Sequence, residues 1–219
     1  MDTALILDFL SELEKNNNKE WMDENRPWYE EAREEFKKLI GFLLKEMSAF
    51  DEGLRLVTPK DSIFRINRDI RFSKDKSPYK NNFGAFMAEG GKKTEGAGYY
   101  LHLQPGNESF VGGGIYMPPS PLLGRIRQEI DYNASELKKI VEEPDFRSTF
   151  GPVKGEKLKT APKGYPKDHP NIELLRLKSF VVTKSLSDEE LKSGNIHEFI
   201  ARIFEVQKPF NDYLDVAIS

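Results

Sequence analysis

The hydrophobic period alternates between helical and strand spacing along this chain, and this alternation restricts the possible fold more than any other feature. Near the N-terminus apolar residues recur every three or four positions, which predicts a helix over 3–14 and a long helix with Pro27 in its first turn. Beyond Pro59 apolar and polar residues alternate, as is typical of strands with one buried face. Helical spacing returns at Ser120 and again over 196–204. Strands grouped between helical ends predict an α+β fold, with a predominantly antiparallel sheet packed by N-terminal, middle and C-terminal helices.

No linker separates the chain into independent parts. Its 219 residues contain no long Gly/Ser tract, proline-rich run or low-complexity block. We therefore expect a single compact domain over 1–219. Its expected parts are a helical region 1–50, a sheet core of about 60–117, helices and loops over 119–178, and a strand with a C-terminal helix over 179–216.

Local signals predict where the individual elements begin and end. Asn17 and Glu20 have the spacing of a capping box, and Asn133 or Ser135 is expected to cap a helix in the middle of the chain. The C-terminal helix is expected to stop near Pro209, which lacks a backbone N–H. Four prolines and three glycines over 150–170 predict a long irregular crossing. Strands are predicted over 64–67, 99–104, 110–116 and 179–183, with a hairpin loop at 105–108.

Composition excludes several functional classes. The chain has no cysteine, which excludes disulfides, thiolate metal sites and cysteine nucleophiles. The N-terminal segment lacks a basic stretch typical of signal peptides, and no apolar run reaches the ~20 residues of a membrane span. We therefore expect a cytoplasmic protein without membrane contact. The net charge of −3 argues against a general nucleic-acid coat, because such binding requires many Lys and Arg side chains.

The most unusual segment is the basic loop, residues 65–82. Six basic and two acidic side chains give it a formal charge of +4. Arginine offers a planar fork to a carboxylate or phosphate, and lysine offers a point charge. Apolar Ile66, Ile70, Phe72 and Tyr79 interleave with the charges and are expected to pin the loop to the core. The residues predicted to bind an anion are Arg65, Arg68, Arg71, Ser73, Lys74, Tyr79 and Lys80.

An internal network is the alternative for the same loop. Asp69 and Asp75 could pair with its cations, and a solvated set of surface ion pairs would then leave no ligand. The residues alone do not distinguish a ligand site from such a salt-bridge network.

A second polar constellation follows from strand alternation. If Phe64 and Ile66 face the helices, Arg65 shares the opposite face with Asn67, and Tyr100 and His102 lie opposite their apolar neighbours. Tyr100 and His102 are candidates for proton transfer, and the alternative is an ordinary hydrogen-bonded sheet histidine.

The glycine run 112–114 lies beside this constellation. It indicates a bulge or a close approach by a ligand or another backbone. The run is not a phosphate loop, because the Gly-Lys-Ser/Thr ending of such a loop is missing.

Lys163 and His169 complete the predicted site from the irregular crossing. They could fold over the sheet as a lid that contacts a ligand, and the alternative is ordinary turn chemistry. The three histidines of the chain are far apart and lack paired metal-ligand spacing on a helix, so no metal site is predicted. The sequence leaves any cofactor unknown.

Five longer motifs lie outside the basic loop: GYYLHL at 98–103, GGGIY at 112–116, PKGY at 162–165, DHP at 168–170 and LLRLKSF at 174–180. With the basic loop they resemble, over nearly the whole chain, the bacterial and fungal domain-of-unknown-function family 2461. Asn67 stands where the family pattern leads us to expect an aromatic residue, and Tyr116 stands where tryptophan is common. The family name carries no activity, cofactor or catalytic residue, so the resemblance implies a shared fold.

Two functional hypotheses follow. In the first, the basic loop, the Tyr100 and His102 face, and residues 163–169 form a site for a small phosphate or carboxylate molecule, with proton transfer by His102 or Tyr100 if a reaction occurs. In the second, the loop is a non-enzymatic module that contacts a protein partner or a short nucleic acid, with Phe72 and Tyr79 available for stacking.

Overall fold

The computed structural model describes the whole chain from Met1 to Ser219 and confirms the α+β class. The helices are α1 (Thr3–Lys15), α2 (Lys19–Glu24), α3 (Arg26–Met47), α4 (Pro59–Ser62), α5 (Ser120–Glu142), α6 (Pro144–Phe150), α7 (Ile172–Leu175), α8 (Asp188–Leu191) and α9 (Ile196–Ile218), with a short 3-10 turn at Glu52–Leu54. The strands are β1 (Phe83–Met87), β2 (Gly98–Leu103), β3 (Ser109–Ile115) and β4 (Phe180–Leu186). They form an antiparallel sheet in the order β1-β2-β3-β4.

Backbone contacts divide the chain into two compact units, each assembled from three segments. Unit 1 contains the basic loop, and unit 2 contains the long irregular crossing. The expectation of a single domain stays a prediction. The segments of unit 1 are Met1–Lys92, Tyr100–Val111 and Ser185–Arg202, and those of unit 2 are Lys93–Tyr99, Gly112–Lys184 and Ile203–Ser219.

The core of unit 1 is an aromatic cluster between α1, α3 and β1. Phe9 and Phe36 are fully buried, and the Phe83 ring lies 6.2 Å from the first and 5.3 Å from the second. The helix predicted over 3–14 is confirmed as α1, and Asp2 caps it by accepting a hydrogen bond from the Leu5 N–H at 2.9 Å. Because its apolar residues recur at helical spacing, one face of α1 packs against α3 while the other remains solvated.

The triple-glycine segment of β3 lies in unit 2, where neighbouring backbones approach it closely. A Cβ on Gly112 would lie 2.0 Å from the Val182 carbonyl oxygen, and one on Gly113 would lie 1.9 Å from the Gly98 carbonyl oxygen. Gly114 has a φ of +108°, which disfavours any other residue type. Of the alternatives left open by the sequence, the glycines therefore accommodate another backbone, and no ligand is needed to explain them.

The C-terminal helix is longer than predicted. α9 continues through Pro209 and ends at Ile218, so the expected stop near the proline is wrong. A proline inside a helix costs ~3 kcal/mol, because it removes one hydrogen bond and crowds the preceding turn. Phe210 and Leu214 follow the proline and are fully buried, and burial of such side chains contributes ~1.5–3 kcal/mol each. Tertiary packing thus outweighs the local cost. No helix, α9 included, has the combination of length and apolar character that a membrane crossing requires.

Two strand predictions need correction. Residues 64–67 do not form a strand, and Phe64 is exposed whereas Ile66 is buried, so these two side chains do not share a face. β1 was not predicted, because its sequence FGAFM lacks the alternation of polar and apolar residues. Only isolated bridges form near 64–67, Ile63 with Ala85 and Asn67 with Tyr79.

Other predicted boundaries are confirmed with small changes. The hairpin between β2 and β3 turns at Gly106 and Asn107, whose φ angles are +81° and +62°. Ser120 is the first residue of α5 and makes no capping hydrogen bond. The backbone of α5 is interrupted at Asn133, where φ is −128° and ψ is 34°, at the position predicted to start a new helix. Helix α6 was not predicted, and the segment after it is irregular as expected.

Candidate functional site

The basic loop is anchored within unit 1 by Asn17. The Asn17 Nδ2 donates to the Tyr79 carbonyl oxygen at 3.0 Å, and its Oδ1 accepts from the Tyr79 N–H at 3.1 Å. The sequence assigned Asn17 to a helix cap, but the cap of α2 is Asn18, which accepts from the Trp21 N–H at 2.9 Å. The amide of Asn17 is therefore committed to the loop, and it satisfies both backbone groups of Tyr79.

Arg68 is the centre of a polar network inside the loop. Its guanidinium donates to the Asp75 carboxylate, to the Ser77 carbonyl oxygen at 3.2 Å and to the Ser73 Oγ at 3.4 Å. Hydrogen bonds from the Ser77 hydroxyl and N–H, followed by the one from Arg68, lower the pKa of Asp75 to about 2. Arginine has five N–H donors, so two donors of Arg68 remain unused by the protein.

The other arginines of the loop and Lys74 do not join this network. Arg71 forms a bidentate pair with Asp69, at 2.9 Å from Nε to Oδ1 and 2.6 Å from Nη2 to Oδ2. Because its side chain is 76% exposed, this surface pair contributes little stability. The side chains of Arg65 and Lys74 are exposed and form no hydrogen bond or ion pair within the protein. Arg68 and Arg71 thus form the ion pairs of the salt-bridge alternative. The four other cations of the loop have no carboxylate partner within it.

Lys80 and Arg68 line a polar pocket of about 430 Å³. The Lys80 Nζ donates to the Arg65 carbonyl oxygen at 2.9 Å, which leaves two of its three donors unused. Burial, followed by the charge of Arg65, lowers the pKa of Lys80. Glu14 adds a carboxylate to the wall and accepts a hydrogen bond from the Asn81 amide at 3.1 Å. The remaining lining residues are Asn17, Asp75, Ser77, Tyr79 and Asn82.

The structure brings only part of the predicted ligand set to this pocket. Arg68, Tyr79 and Lys80 line it, and Ser73 contacts the site through its hydrogen bond to Arg68. The pocket is not lined by Arg65, Arg71 or Lys74. Sequence reasoning missed Glu14 and Asn17, because their approach to the loop is a tertiary contact that no local pattern indicates.

The apolar residues of the loop behave differently from one another. Ile66 and Tyr79 are buried and hold the ends of the loop, as predicted. Phe72 is 94% exposed, so its predicted role as a core anchor is wrong. Its ring lies 5.8 Å from the guanidinium carbon of Arg71, in a cation–π contact at the loop tip. Tyr79, at 8% exposure, is not available for stacking with an external base.

Tyr100 and His102 form a hydrogen-bonded chain on the outward face of β2. The Tyr100 hydroxyl lies 3.2 Å from His102 Nδ1, and His102 Nε2 lies 2.9 Å from Gln104 Oε1. Because an amide oxygen can only accept, Nε2 carries the proton and Nδ1 accepts from Tyr100. Both ring nitrogens are therefore engaged, and neither residue lines the pocket. This geometry agrees with the ordinary sheet histidine, and the catalytic role stays a prediction.

We expect the His102 imidazole to titrate below its ordinary pKa of 6.5. Burial lowers this pKa, although the Gln104 hydrogen bond and the Glu108 charge oppose the shift. As the pH falls below 6.5, the unfolded chain takes up this proton before the folded protein does. The corresponding stability is therefore present above pH 6.5 and is lost as the pH falls through the folded pKa. An NMR titration of the imidazole checks this, and a midpoint at or above 6.5 would contradict it.

Unit 2 holds the two remaining predicted residues. His169 Nε2 lies 2.9 Å from Asp131 Oδ1 on α5, and His169 Nδ1 accepts from the Asn171 N–H at 3.0 Å. Lys163 is exposed and has no hydrogen-bonding partner. These contacts agree with turn chemistry, and the role of the two residues as a lid stays a prediction. No three His, Asp or Glu side chains converge as metal ligands would.

Comparison with known proteins identifies the family. A family model described as a conserved hypothetical protein, DUF2461, matches residues 5–213 of the 219 in the chain. Searches of curated proteins and of solved structures gave no match. The resemblance inferred from the motifs is thus confirmed, and the chain belongs to the DUF2461 family of conserved hypothetical proteins.

Proposed function

We propose that unit 1 binds a small anionic molecule in the pocket lined by Arg68 and Lys80. The observation that carries this proposal is the set of four N–H donors, two on each cation, that the protein leaves unused in the pocket wall. Charge-assisted hydrogen bonds to a carboxylate or phosphate are the strongest use of such donors.

The internal network supports binding by holding Arg68 in place. Contacts with Asp75, Ser77 and Ser73 fix the guanidinium before any ligand arrives. Binding of a ligand therefore costs less side-chain conformational entropy than it would at a free surface arginine. Asn17 acts in the same direction, because it fixes the backbone of Tyr79 next to Lys80.

The carboxylates in the wall narrow the class of ligand. Glu14 and Asp75 balance the formal charges of Arg68 and Lys80, so the wall as a whole is not positive. A ligand with negative charge alone would be repelled by Glu14, whose only hydrogen bond comes from Asn81. A molecule that combines a carboxylate or phosphate with an amino or hydroxyl group would accept hydrogen bonds from the two cations and donate one to the Glu14 carboxylate. Amino acids, their phosphorylated derivatives and hydroxy acids have this chemistry.

A thermal-shift panel tests the proposal. It would compare inorganic phosphate, serine, O-phosphoserine, malate, a nucleoside monophosphate and an oligonucleotide. A ligand at ten times its Kd stabilises the folded protein by about 1.4 kcal/mol, which raises Tm by about 3–6 °C for a chain of this size. We expect anions that carry an amino or hydroxyl group to exceed inorganic phosphate. The absence of a shift with every small molecule of the panel would contradict the proposal.

A further inference from the structure

Four rings form a continuous row on the outward face of unit 1. Phe64 lies 6.4 Å from Tyr100, Tyr100 lies 5.6 Å from Phe110, and Phe110 stacks on His102 at 4.7 Å. Phe64 is 37% exposed, and the other three rings are half-buried. We call Phe64, Tyr100, His102 and Phe110 the aromatic face.

Gly84 in β1 makes this row continuous. A Cβ at Gly84 would lie 2.8 Å from the Tyr100 hydroxyl oxygen, so the missing side chain leaves room for the Tyr100 ring to lie across β1. The Phe64 N–H donates to the Gly84 carbonyl oxygen at 3.0 Å, which places Phe64 on the other side of the same strand. The row of rings thus extends from β2 across β1 and is not confined to a single strand.

One edge of the aromatic face is positively charged. The Lys80 Nζ lies 5.6 Å from the centre of the Phe64 ring, and it forms no direct ion pair with a carboxylate. Arg65 follows Phe64 in the chain, and its side chain is exposed and forms no ion pair. A matching occupant therefore presents flat π surfaces to the rings and negative charge to Arg65 and Lys80.

We propose that the aromatic face binds a single-stranded nucleic-acid segment, with its bases on the rings and its phosphates toward Arg65 and Lys80. Sheets whose outward aromatic residues stack two or three bases are a general mode of single-strand recognition, and stacking tolerates any base sequence. A duplex does not fit this chemistry, because its bases are already stacked on each other. The positive charge is confined to the basic loop, which has a formal +4 within a chain of net charge −3, so we expect contact with a short segment of the strand only.

Fluorescence anisotropy with labelled oligouridylate and oligothymidylate at low salt tests this proposal. Loss of one stacking ring should weaken binding about fivefold or more, so we expect that result for Phe64→Ala. Phe72→Ala is the matched control, because Phe72 is a more exposed phenylalanine that lies off the aromatic face. Arg65→Gln should reduce the slope of log affinity against log salt concentration by about one. Arg71→Gln, which removes only contacts with Asp69 and Phe72 at the loop tip, should leave this slope unchanged.

Three results would overturn the proposal. These are no binding at low salt, equal affinity for a duplex of the same length, and equal affinity of Phe64→Ala and the wild type. Phe64→Leu serves as a second variant if the alanine variant is unfolded by circular dichroism, because leucine keeps apolar volume but cannot stack. Arg68→Gln separates this surface from the anion pocket: it should remove small-molecule binding and leave the affinity for single strands within about twofold, given that one charge contributes little at a distance.

Discussion

Replacing Gly112 by alanine is expected to lower the free energy of unfolding by at least about 3 kcal/mol. The added Cβ would lie 2.0 Å from the Val182 carbonyl oxygen and 2.9 Å from the Thr183 Cα, and both are backbone atoms. Overpacking a filled site costs ~1–3 kcal/mol when side chains can adjust, and more when the backbone itself must move. Urea unfolding followed by circular dichroism measures the loss directly.

Gly124→Ala is the control for this substitution. Gly124 is exposed on α5, and apart from its own helical turn no heavy atom lies within 4 Å of the position that its Cβ would occupy. Alanine is the better helix former, so this variant should gain about 0.5–1 kcal/mol. If Gly112→Ala were as stable as the wild type, the close approach of the β3 and β4 backbones would be refuted.

Replacing Asn17 by alanine should lower the free energy of unfolding by about 2 kcal/mol and abolish ligand binding in the pocket. Two hydrogen bonds to Tyr79 are lost, each with a net value of ~0.5–1.5 kcal/mol, and both backbone groups of Tyr79 lose their partner. Because Tyr79 and Lys80 line the pocket, release of this segment also displaces the two unpaired N–H donors of Lys80 that are proposed to bind the ligand. Unfolding curves and thermal shifts on the same preparations measure the two effects.

The neighbouring asparagine supplies the control. Asn18→Ala removes the cap of α2, which costs about 1 kcal/mol, but Asn18 does not line the pocket. We therefore expect about half the loss of stability of Asn17→Ala, with ligand binding retained. Equal loss of binding in both variants would mean that general destabilisation, and not the anchoring of the loop, explains the result.

Local pattern was enough to predict the fold class and several elements. The apolar spacing over 3–14 is sufficient for α1, and the alternation over 99–103 gives β2 with Tyr100 and His102 on the outward face. β1 escaped prediction because apolar residues or glycine occupy both faces of the strand. The length of α9 was also missed, because the burial of Phe210 and Leu214 is a tertiary effect that overrides the proline.

The candidate site was visible in the sequence as a concentration of charge, but its geometry was not. The count of cations in the loop does not indicate that Arg71 would pair with Asp69 at the surface while Arg68 would be held in a network. The spacing of Asn17 and Glu20 predicted the cap of α2 one residue too early. Asn18 caps α2, whereas the preceding residue, Asn17, anchors the loop.

We propose that the pocket, and not the charge of the loop in general, binds the anion. Two double variants each remove two positive charges from the loop. The first is Arg68→Gln with Lys80→Gln, inside the pocket, and the second is Arg71→Gln with Lys74→Gln, outside it. The thermal-shift panel should be measured on both and on the wild type. We predict that the ligand shift is lost in the first variant and kept in the second. Equal shifts in the two variants, or loss in both, would contradict a pocket built on Arg68 and Lys80.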